Sequence, residues 1–247
     1  MPRIAPNLPA DSDILCEACG YTLNGLPDTT RCPECGKPVI ESIAAPRVAT
    51  AWERPEIHRI RAFIRTTATI IFRPAHFYRT LATRVNMNRA QRFARAHWFL
   101  TAILLGLTAC LHVRTMGGLS YVSGQPYPLW LNIPIGIMTT FVTFFALDGT
   151  TLLAARLTHW EATYRGYRLP INVVRRGLFY HAAHYLPVAL IALITVVGYR
   201  LLVQFNFVTG LTAPAYLYVL AVEVVLAAIY LFQTYWIGMR NMMYANA

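Results

Sequence analysis

The stretch GLFYHAAHYLPVALIALITVVGY, residues 177–199, runs for 23 residues between Arg176 and Arg200 without an Asp, Glu, Lys or Arg. About 20 consecutive apolar residues carry an α-helix across the hydrocarbon core of a bilayer, with a lower limit near 17. The stretch therefore predicts a membrane-spanning helix, and this expectation sets the fold class for the rest of the chain.

Three further segments have the same character. The four expected spans lie at about residues 96–115, 129–153, 177–200 and 214–237. In the first span Ala102, Gly106 and Cys110 recur at every fourth position, and such a stripe of small residues lets a neighbouring helix approach closely. We expect an all-α integral membrane bundle of four spans, occupying residues 96–247, in which Cys110 is a packing residue.

Composition and charge support this class. The chain has 247 residues, 56% hydrophobic and 13% charged, about half the charged fraction of a soluble domain. This composition excludes a disordered chain and disfavours an ordinary soluble enzyme. The net charge of +11 indicates either nucleic acid or a membrane surface as partner. It divides into −3 over residues 1–53, +9 over residues 54–97 and +5 over residues 98–247.

Residues 1–45 are predicted to form a small metal module with Pro-rich flanks. Four of the five cysteines follow the pattern C-x2-C-x12-C-x2-C: Cys16, Cys19, Cys32 and Cys35. Two residues between thiols let one tight turn present both sulfurs to an ion, and two such turns complete a tetrahedral site. Asn24-Gly25 is a strong turn signal, and Tyr21 and Leu23 before it alternate as in a short strand. The pattern predicts a minimal zinc ribbon holding a structural Zn²⁺.

The alternative for the four cysteines is two disulfides, which need an oxidising compartment. The N-terminal MPRIAPNLPADSD contains no apolar segment of the kind found in a secretory signal, so we expect zinc. Four thiolates fill a tetrahedral shell and leave no open position for catalysis. Only Arg31 and Lys37 are basic within the ribbon, which disfavours nucleic acid as its partner because phosphate binding needs clustered basic residues.

Residues 46–95 are expected to be basic amphipathic helices at the membrane interface. From Pro55 to about Phe72 an apolar stripe recurs at helical spacing, consisting of Ile57, Ile60, Phe63, Ile64, Thr67 and Ile71, and Pro74 ends or restarts the helix. A second helical stretch carries Arg79, Arg84, Arg89, Arg92 and Arg95. Arg-rich amphipathic helices beside a span are typical of the interface. The alternative is a solvated pair of helices packed on the protein itself.

The distribution of arginines predicts the orientation of the spans. Ten arginines lie in residues 54–97, ahead of the first span, and five lie between the second and third spans, whereas each of the other two connections carries one, Arg114 or Arg200. Basic residues concentrate on the cytoplasmic side of membrane proteins. We therefore expect both termini in the cytoplasm, with the protein in the bacterial inner membrane.

Ionisable residues within the predicted spans are candidates for chemistry, because they are costly in lipid. Glu223 and Asp148 could form an ion or proton path. His181 and His184, with His159 or Glu161, could form a second metal site. The structural alternatives are carboxyl groups hydrogen-bonded to a neighbouring Thr or Tyr, and histidines that are simply amphipathic. The sequence contains no H-E-x-x-H motif, nucleophile triad, phosphate loop or nucleotide fingerprint, so no enzymatic activity is expected.

Two stretches resemble known groups of proteins. CEACGYTLNGLPDTTRCPECG, residues 16–36, resembles the zinc-ribbon leader of bacterial membrane proteins of unknown function, particularly those of planctomycetes. The body more loosely resembles the Yip family of multi-span membrane proteins, through FRPAHFYRTL at residues 72–81 and RRGLFYHAAHY at residues 175–185. The resemblance implies a cytoplasm-facing bundle that acts in membrane organisation or trafficking without catalytic residues.

The expected function is therefore non-enzymatic. The zinc ribbon would dock a cytoplasmic protein partner, and the bundle would anchor it to the lipid bilayer or organise the membrane around it. The alternative is a small transporter or channel that uses Asp148 and Glu223, in which case both carboxylates should face one cavity.

Overall fold

The structure is a computed structural model that describes residues 9–10, 13–43, 47–83, 87–119, 129–207 and 213–246. Throughout these residues the regular secondary structure is helical, with isolated β-bridges but no strand. The α-helices are α1 Ile40–Ile43, α2 Arg59–Phe72, α3 Pro74–Thr80, α4 Met87–Leu119, α5 Leu129–Tyr164, α6 Ile171–His181, α7 Tyr185–Gln204 and α8 Ala213–Met242. Single 3-10 turns lie at Ala51–Glu53 and Ala182–His184.

Four helical segments are long and apolar enough to cross a membrane: Met87–Met116, Asn132–Tyr164, Ile171–Gln204 and Pro214–Met242. The predicted all-α fold with four spans is thus confirmed. Each segment has at least 29 residues, or about 44 Å at 1.5 Å per residue, and exceeds a hydrocarbon core of about 30 Å. Arg89, Arg92 and Arg95 belong to the first turns of α4, so they lie on the same helix as the first span.

The third span contains a local change of helix type. Between α6 and α7, Ala182–His184 form a 3-10 turn. Pro187 follows in the first turn of α7. Proline lacks the N–H that would bond to the carbonyl four residues earlier, and its ring crowds that carbonyl. That carbonyl belongs to Ala183, within the 3-10 turn.

The chain divides into two compact units, which we call the polar unit and the apolar unit. The polar unit comprises Met1–Ala94, Thr150–Ala183 and Thr234–Ala247, and the apolar unit comprises Arg95–Gly149 and His184–Gln233. Only five Asp, Glu, Lys or Arg residues belong to the apolar unit: Arg95, Arg114, Asp148, Arg200 and Glu223. Residues 13–43, which contain the four clustered cysteines and are called the ribbon below, belong to the polar unit together with α2 and α3.

The apolar unit exposes large hydrophobic side chains along its helices, as a bundle surrounded by lipid does. Examples are Phe141 and Phe145 of α5 and Val224 and Val225 of α8, each more than half exposed. Inside this unit α4 and α5 approach closely at Gly106 and Gly136. A Cβ added to Gly106 would lie 2.6 Å from the Gly136 carbonyl oxygen, and one added to Gly136 would lie 3.2 Å from Cys110 Cβ. Cys110 therefore packs at a helix crossing, as its small-residue spacing predicts.

The polar unit has a core of aromatic rings around a buried ion pair. Trp52, Phe63, Phe93, Tyr180 and Phe77 form a chain of ring contacts with centroid distances of 5.1–6.0 Å. This core joins α2, α3 and α4 to α6, so residues from the predicted interfacial region and from the third span fold as one packed body.

Arg176 and Glu53 form the buried ion pair. Both side chains are at most 1% exposed, and Arg176 Nη2 lies 2.6 Å from Glu53 Oε1. Arg176 Nε donates to the Ala82 carbonyl at 2.7 Å. Glu53 Oε2 accepts the Thr50 backbone N–H at 3.0 Å, as part of a capping box on the 3-10 turn. Arg176, which the sequence marks as a charge flanking a span, is here a core residue of the polar unit.

Helix α2 shows two apolar faces. Ala62, Thr66 and Ile70 are buried in the polar unit, whereas Ile60 and Ile64 are 66% and 61% exposed. The predicted stripe is therefore divided: Ile60 and Ile64 are exposed, whereas Phe63 contacts Trp52 and Phe93 in the aromatic core. Contact between the exposed face and a membrane stays a prediction.

Candidate metal centre

The four cysteines predicted as metal ligands lie close together. All four sulfurs are within 4.8 Å of one another, with Cys16 Sγ 3.5 Å from Cys35 Sγ and Cys19 Sγ 3.6 Å from Cys32 Sγ. A regular tetrahedron with metal–sulfur bonds of about 2.3 Å has sulfurs roughly 3.8 Å apart. A disulfide would bring two sulfurs to about 2.05 Å, and the cysteines are free thiols. The arrangement is a possible metal site.

Two nearly identical turns position these sulfurs. In the first turn the Cys16 N–H donates to the Tyr21 carbonyl and the Gly20 N–H donates to the Cys16 carbonyl, both at 2.8 Å. In the second, Cys32 and Gly36 make the equivalent bonds, at 2.8 and 2.9 Å. Gly20 and Gly36 have φ angles of +82° and +71°, which glycine adopts without a Cβ clash. The chain repeats the same metal-binding turn after 16 residues.

Each turn is closed by a single bridge rather than by strands. Leu15 pairs with Thr22, and Arg31 pairs with Pro38. The short strand predicted before Asn24 is therefore wrong. Tyr21 is exposed and Leu23 is buried, whereas residues two apart in a strand point to the same face. Regular pairing cannot extend because the bridge lies directly beside the metal-binding turn on one side and the Leu23–Leu26 turn on the other.

The local electrostatics favour a thiolate at Cys16. Burial raises the pKa of the Cys16 thiol, but its sulfur accepts hydrogen bonds from the backbone N–H groups of Ala18 and Cys19, and these hold the pKa at about 7, below its usual value. Burial raises the pKa of Cys19 to about 12. Without a cation the four sulfurs cannot all ionise, and a bound divalent metal would displace the remaining protons.

The ribbon is fastened to the rest of the polar unit by the C-terminal segment. Asn246 Oδ1 accepts the Leu15 N–H at 2.9 Å, and Asn246 Nδ2 donates to the carbonyls of Leu15 and Ser42 at 2.8 and 2.9 Å. The ring of Tyr244 packs against Gly20. The ribbon is thus packed against the C-terminal segment of the polar unit and is not joined to it by the chain alone.

Two arginines add further contacts between the ribbon region and the rest of the polar unit. Arg47 pairs with Glu17 at 2.9 Å, with both side chains 8% exposed, and also donates to the Asn241 carbonyl at 3.3 Å. Arg168 donates to the carbonyls of Ala10 and Asp13 at 2.7 and 2.6 Å. From the sequence, Arg168 counted only as a loop charge that sets orientation. Its structural role carries no sequence signal that could have revealed it.

No protein-family model matches this chain. Nor does any curated protein or solved structure. The assignment of the site therefore rests on its geometry and on the chemistry of its donors.

The second metal site considered from the sequence does not form. Its four candidate residues each have another partner. His181 Nε2 lies 3.0 Å from Thr234 Oγ1, His184 Nδ1 lies 2.7 Å from Tyr230 OH, and His159 Nδ1–H bonds to the Leu169 carbonyl at 2.9 Å. Glu161 pairs with Arg165 on the surface. In the part of the chain that the structure describes, the cysteine cluster is the only group of three or more potential metal ligands.

The two carboxylates considered for transport differ in their surroundings. Glu223 Oε1 accepts a hydrogen bond from the Thr195 hydroxyl, and its Oε2 is buried without a partner among the described residues. Asp148 is half-buried. The hydrogen bond to Thr195 matches the structural alternative raised for Glu223.

Proposed function

We propose that this chain is a non-enzymatic integral membrane protein whose zinc-loaded ribbon docks a cytoplasmic protein and whose helices hold that partner at the membrane. The observation that carries the proposal is the four-sulfur site. Four thiolates occupy every position of a tetrahedral zinc, so the metal stabilises a fold and offers no site to a substrate. The soft thiolate donors favour zinc over Mg²⁺ and Ca²⁺, which prefer oxygen.

The membrane location and its orientation are supported by two observations. The first is that the apolar unit exposes large hydrophobic side chains on helices that are long and apolar enough to cross a membrane. The hydrogen bonds of Asn246 hold the C-terminal segment against residues 15 and 42, which supports a topology with both on one side of the membrane. The arginine distribution favours the cytoplasm as that side, and a bacterial inner membrane of the planctomycete type is the setting that we propose. The weaker Yip-like resemblance agrees with a role in membrane organisation.

The ribbon has a free surface for a partner. Leu15 and Gly20 are covered by the C-terminal segment, whereas Tyr21, Pro33 and Glu34 are exposed near the metal-binding turns. Residues 13–43 hold five acidic and two basic residues. We therefore propose that the partner presents a basic surface with an apolar centre that accepts the Tyr21 ring.

The first experiment tests the metal. The purified full-length protein should contain one zinc per chain, and exchange for Co²⁺ should give the absorption spectrum of tetrahedral thiolate coordination. Cys32→Ser should abolish that spectrum, whereas Cys110→Ser, the matched control, should leave it unchanged. A protein that binds no metal and keeps a folded ribbon would contradict the proposal.

The second experiment tests docking. The full-length protein, crosslinked in cells through a photoreactive amino acid at Tyr21, should give a defined adduct with a cytoplasmic protein. Glu34→Lys should reduce the yield of that adduct, because it places a positive charge against a basic partner. Lys37→Glu makes the opposite charge change and serves as the control. Equal adducts for both variants, with zinc content unchanged, would contradict the proposed surface.

A small transporter or channel is the second candidate, favoured by the unpartnered Oε2 of Glu223 within the apolar unit. In this case Glu223→Gln and Asp148→Asn should each reduce ion or proton flux in proteoliposomes. Thr195→Val, which removes only the hydroxyl that holds Glu223, is the control for packing. Absence of flux in the wild-type protein would exclude this candidate.

A further inference from the structure

The polar unit contains an arginine-lined cavity of about 350 Å³ beside the starts of α2 and α4. Its walls include Arg54, Arg59, Arg89 and Arg92, with Trp52 and Ile57 as apolar surface. Among the residues that the structure describes, no carboxylate lines the cavity. The volume lies within the range of small-ligand sites, which are usually 300–1,000 Å³.

The charges of this cavity are not balanced locally. Glu56 lies in the same loop and is exposed, but it takes no part in the ion pairs recorded among the described residues. Four arginines line this one cavity, and like charges placed close together repel one another unless an anion lies between them. An anion that binds here would gain charge-assisted hydrogen bonds from several arginines.

The N-terminus of α2 adds to the same positive potential. The helix begins at Arg59, with no side-chain cap from His58 and no acidic residue in its first turn. The N-terminal end of a helix carries a partial positive charge and free N–H groups. Sequences usually place Asp, Glu, Ser or Thr there, so this end is suited to an anion from outside the chain.

The cavity wall is held rigidly. Trp52 Nε1 donates to the Arg89 carbonyl at 2.8 Å, and the Arg89 guanidinium donates to the Glu53 carbonyl. The Trp52 ring also contacts Phe63 and Phe93, with centroids 5.8 and 6.0 Å away. Rigid walls reduce the ordering cost of binding.

We propose that this cavity binds a phosphate group. Arginine's planar fork of donors matches phosphate oxygens, and the cavity combines four arginines with an uncapped helix N-terminus. The exposed Ile60 and Ile64 on the same helix favour the headgroup of an anionic phospholipid as the source, since its acyl chains need an apolar surface beside the phosphate site. The lipid source rests on the membrane location proposed above, whereas the phosphate site does not.

The test compares two charge-matched pairs of substitutions in the full-length protein. Arg54→Gln with Arg59→Gln removes two cavity arginines. Arg73→Gln with Arg79→Gln removes two exposed arginines that do not line the cavity. Arg89 is kept because its guanidinium holds Glu53. Native mass spectrometry of the detergent-solubilised protein measures binding of phosphatidylglycerol and phosphatidylcholine, and the thermal midpoint in inorganic phosphate against chloride, at equal ionic strength, measures the free anion.

We expect the wild type and the control pair to prefer phosphatidylglycerol, and the cavity pair to lose about tenfold or more in its affinity. A thermal shift by inorganic phosphate that the cavity pair alone lacks, without lipid preference, would support the phosphate site with a soluble source. This result also stands if the membrane proposal fails. Equal behaviour of the two pairs, or no binding by the wild type, would overturn the site. Should the cavity pair fail to fold, Arg92→Gln against Arg79→Gln gives the same comparison.

Discussion

At the residue scale, Gly20 and Gly36 occupy equivalent positions in the two turns of the ribbon but have different neighbours. A Cβ at Gly20 would lie 2.5 Å from a ring carbon of Tyr244, whereas a Cβ at Gly36 would meet nothing within 4 Å. Both residues have positive φ. The pair therefore separates the cost of backbone conformation from the cost of losing the contact with the C-terminal segment.

We expect Gly36→Ala to cost roughly 1–2 kcal/mol of local stability, since an L-residue is strained at positive φ. Gly20→Ala should cost about 1–3 kcal/mol more, because the added methyl displaces Tyr244. Hydrogen exchange of the ribbon amides measures both values. The double variant Gly20→Ala with Tyr244→Ala should remove most of the difference. Equal exchange in the two single variants would show that Tyr244 does not press on Gly20.

The buried pair of Arg176 and Glu53 gives a second prediction. Arg176→Met or Glu53→Leu alone leaves a buried charge without its partner and should cost about 3–5 kcal/mol. The double variant should cost much less than the sum of the two, because both charges are gone. Thermal unfolding in detergent measures the cycle. Additive losses would mean that the two side chains do not act as a pair.

At this scale the sequence predicts the metal site but not the contacts that hold the ribbon against the rest of the polar unit. The spacing of Cys16, Cys19, Cys32 and Cys35 is a local pattern typical of a metal site, and the four sulfurs do lie together. Thr50 and Glu53 show the spacing of a capping box, a local signal that marks Glu53 as structural. Asn246 and Arg168 reach the ribbon from more than 150 residues away, and no local pattern encodes such a contact.

At the element scale, helix α2 combines both environments that its sequence allows. Its periodicity indicates one apolar stripe, but small residues on another face, Ala62 and Thr66, pack against the protein. Periodicity identifies an amphipathic helix without showing which neighbour covers each face. The four spans were predictable because length and composition alone decide them. Their helical extensions were not, since α4 and α5 continue into polar sequence where hydropathy no longer marks a boundary.

The exposed face of α2 yields a prediction about membrane contact. A fluorescent probe attached at residue 64 through Ile64→Cys should be quenched by brominated phospholipid, because that side chain faces away from the protein. A probe at residue 65, through Arg65→Cys, should be quenched less, since it lies on the polar side. Both use the reconstituted, metal-loaded protein with Cys110→Ala, so that the ribbon cysteines are protected. Equal quenching at the two positions would contradict an interfacial α2.

At the scale of the whole molecule, charge separates the two units. The apolar unit keeps five charged residues, and the polar unit holds the remainder. The net charge of +11 therefore describes mainly the polar unit, where arginines form ion pairs, bond to carbonyls and line the cavity beside α2. Within the polar unit, arginines thus contribute to the expected orientation of the spans, to the packing of the core and to the proposed binding site.

The contact between the C-terminal segment and the ribbon predicts the topology. A fluorescent protein that matures only in the cytoplasm, fused through a flexible linker after residue 247, should be bright, and a periplasmic phosphatase at the same place should be inactive. Fusing the two reporters before residue 1 should give the same pattern, because Asn246 bonds to the ribbon. Opposite results at the two ends would be incompatible with that contact.

The contacts between the ribbon and the C-terminal segment also determine when, during translation, the ribbon can pack in its final position. Residues 13–43 leave the ribosome before any span and can take up their metal at once, but Tyr244 and Asn246 are translated only after α8. The contacts between residues 13–43 and the C-terminal segment can therefore form only after translation has passed Asn246. A product whose synthesis stops before Tyr244 would leave the surface around Leu15 and Gly20 uncovered and accessible to the cell's proteases.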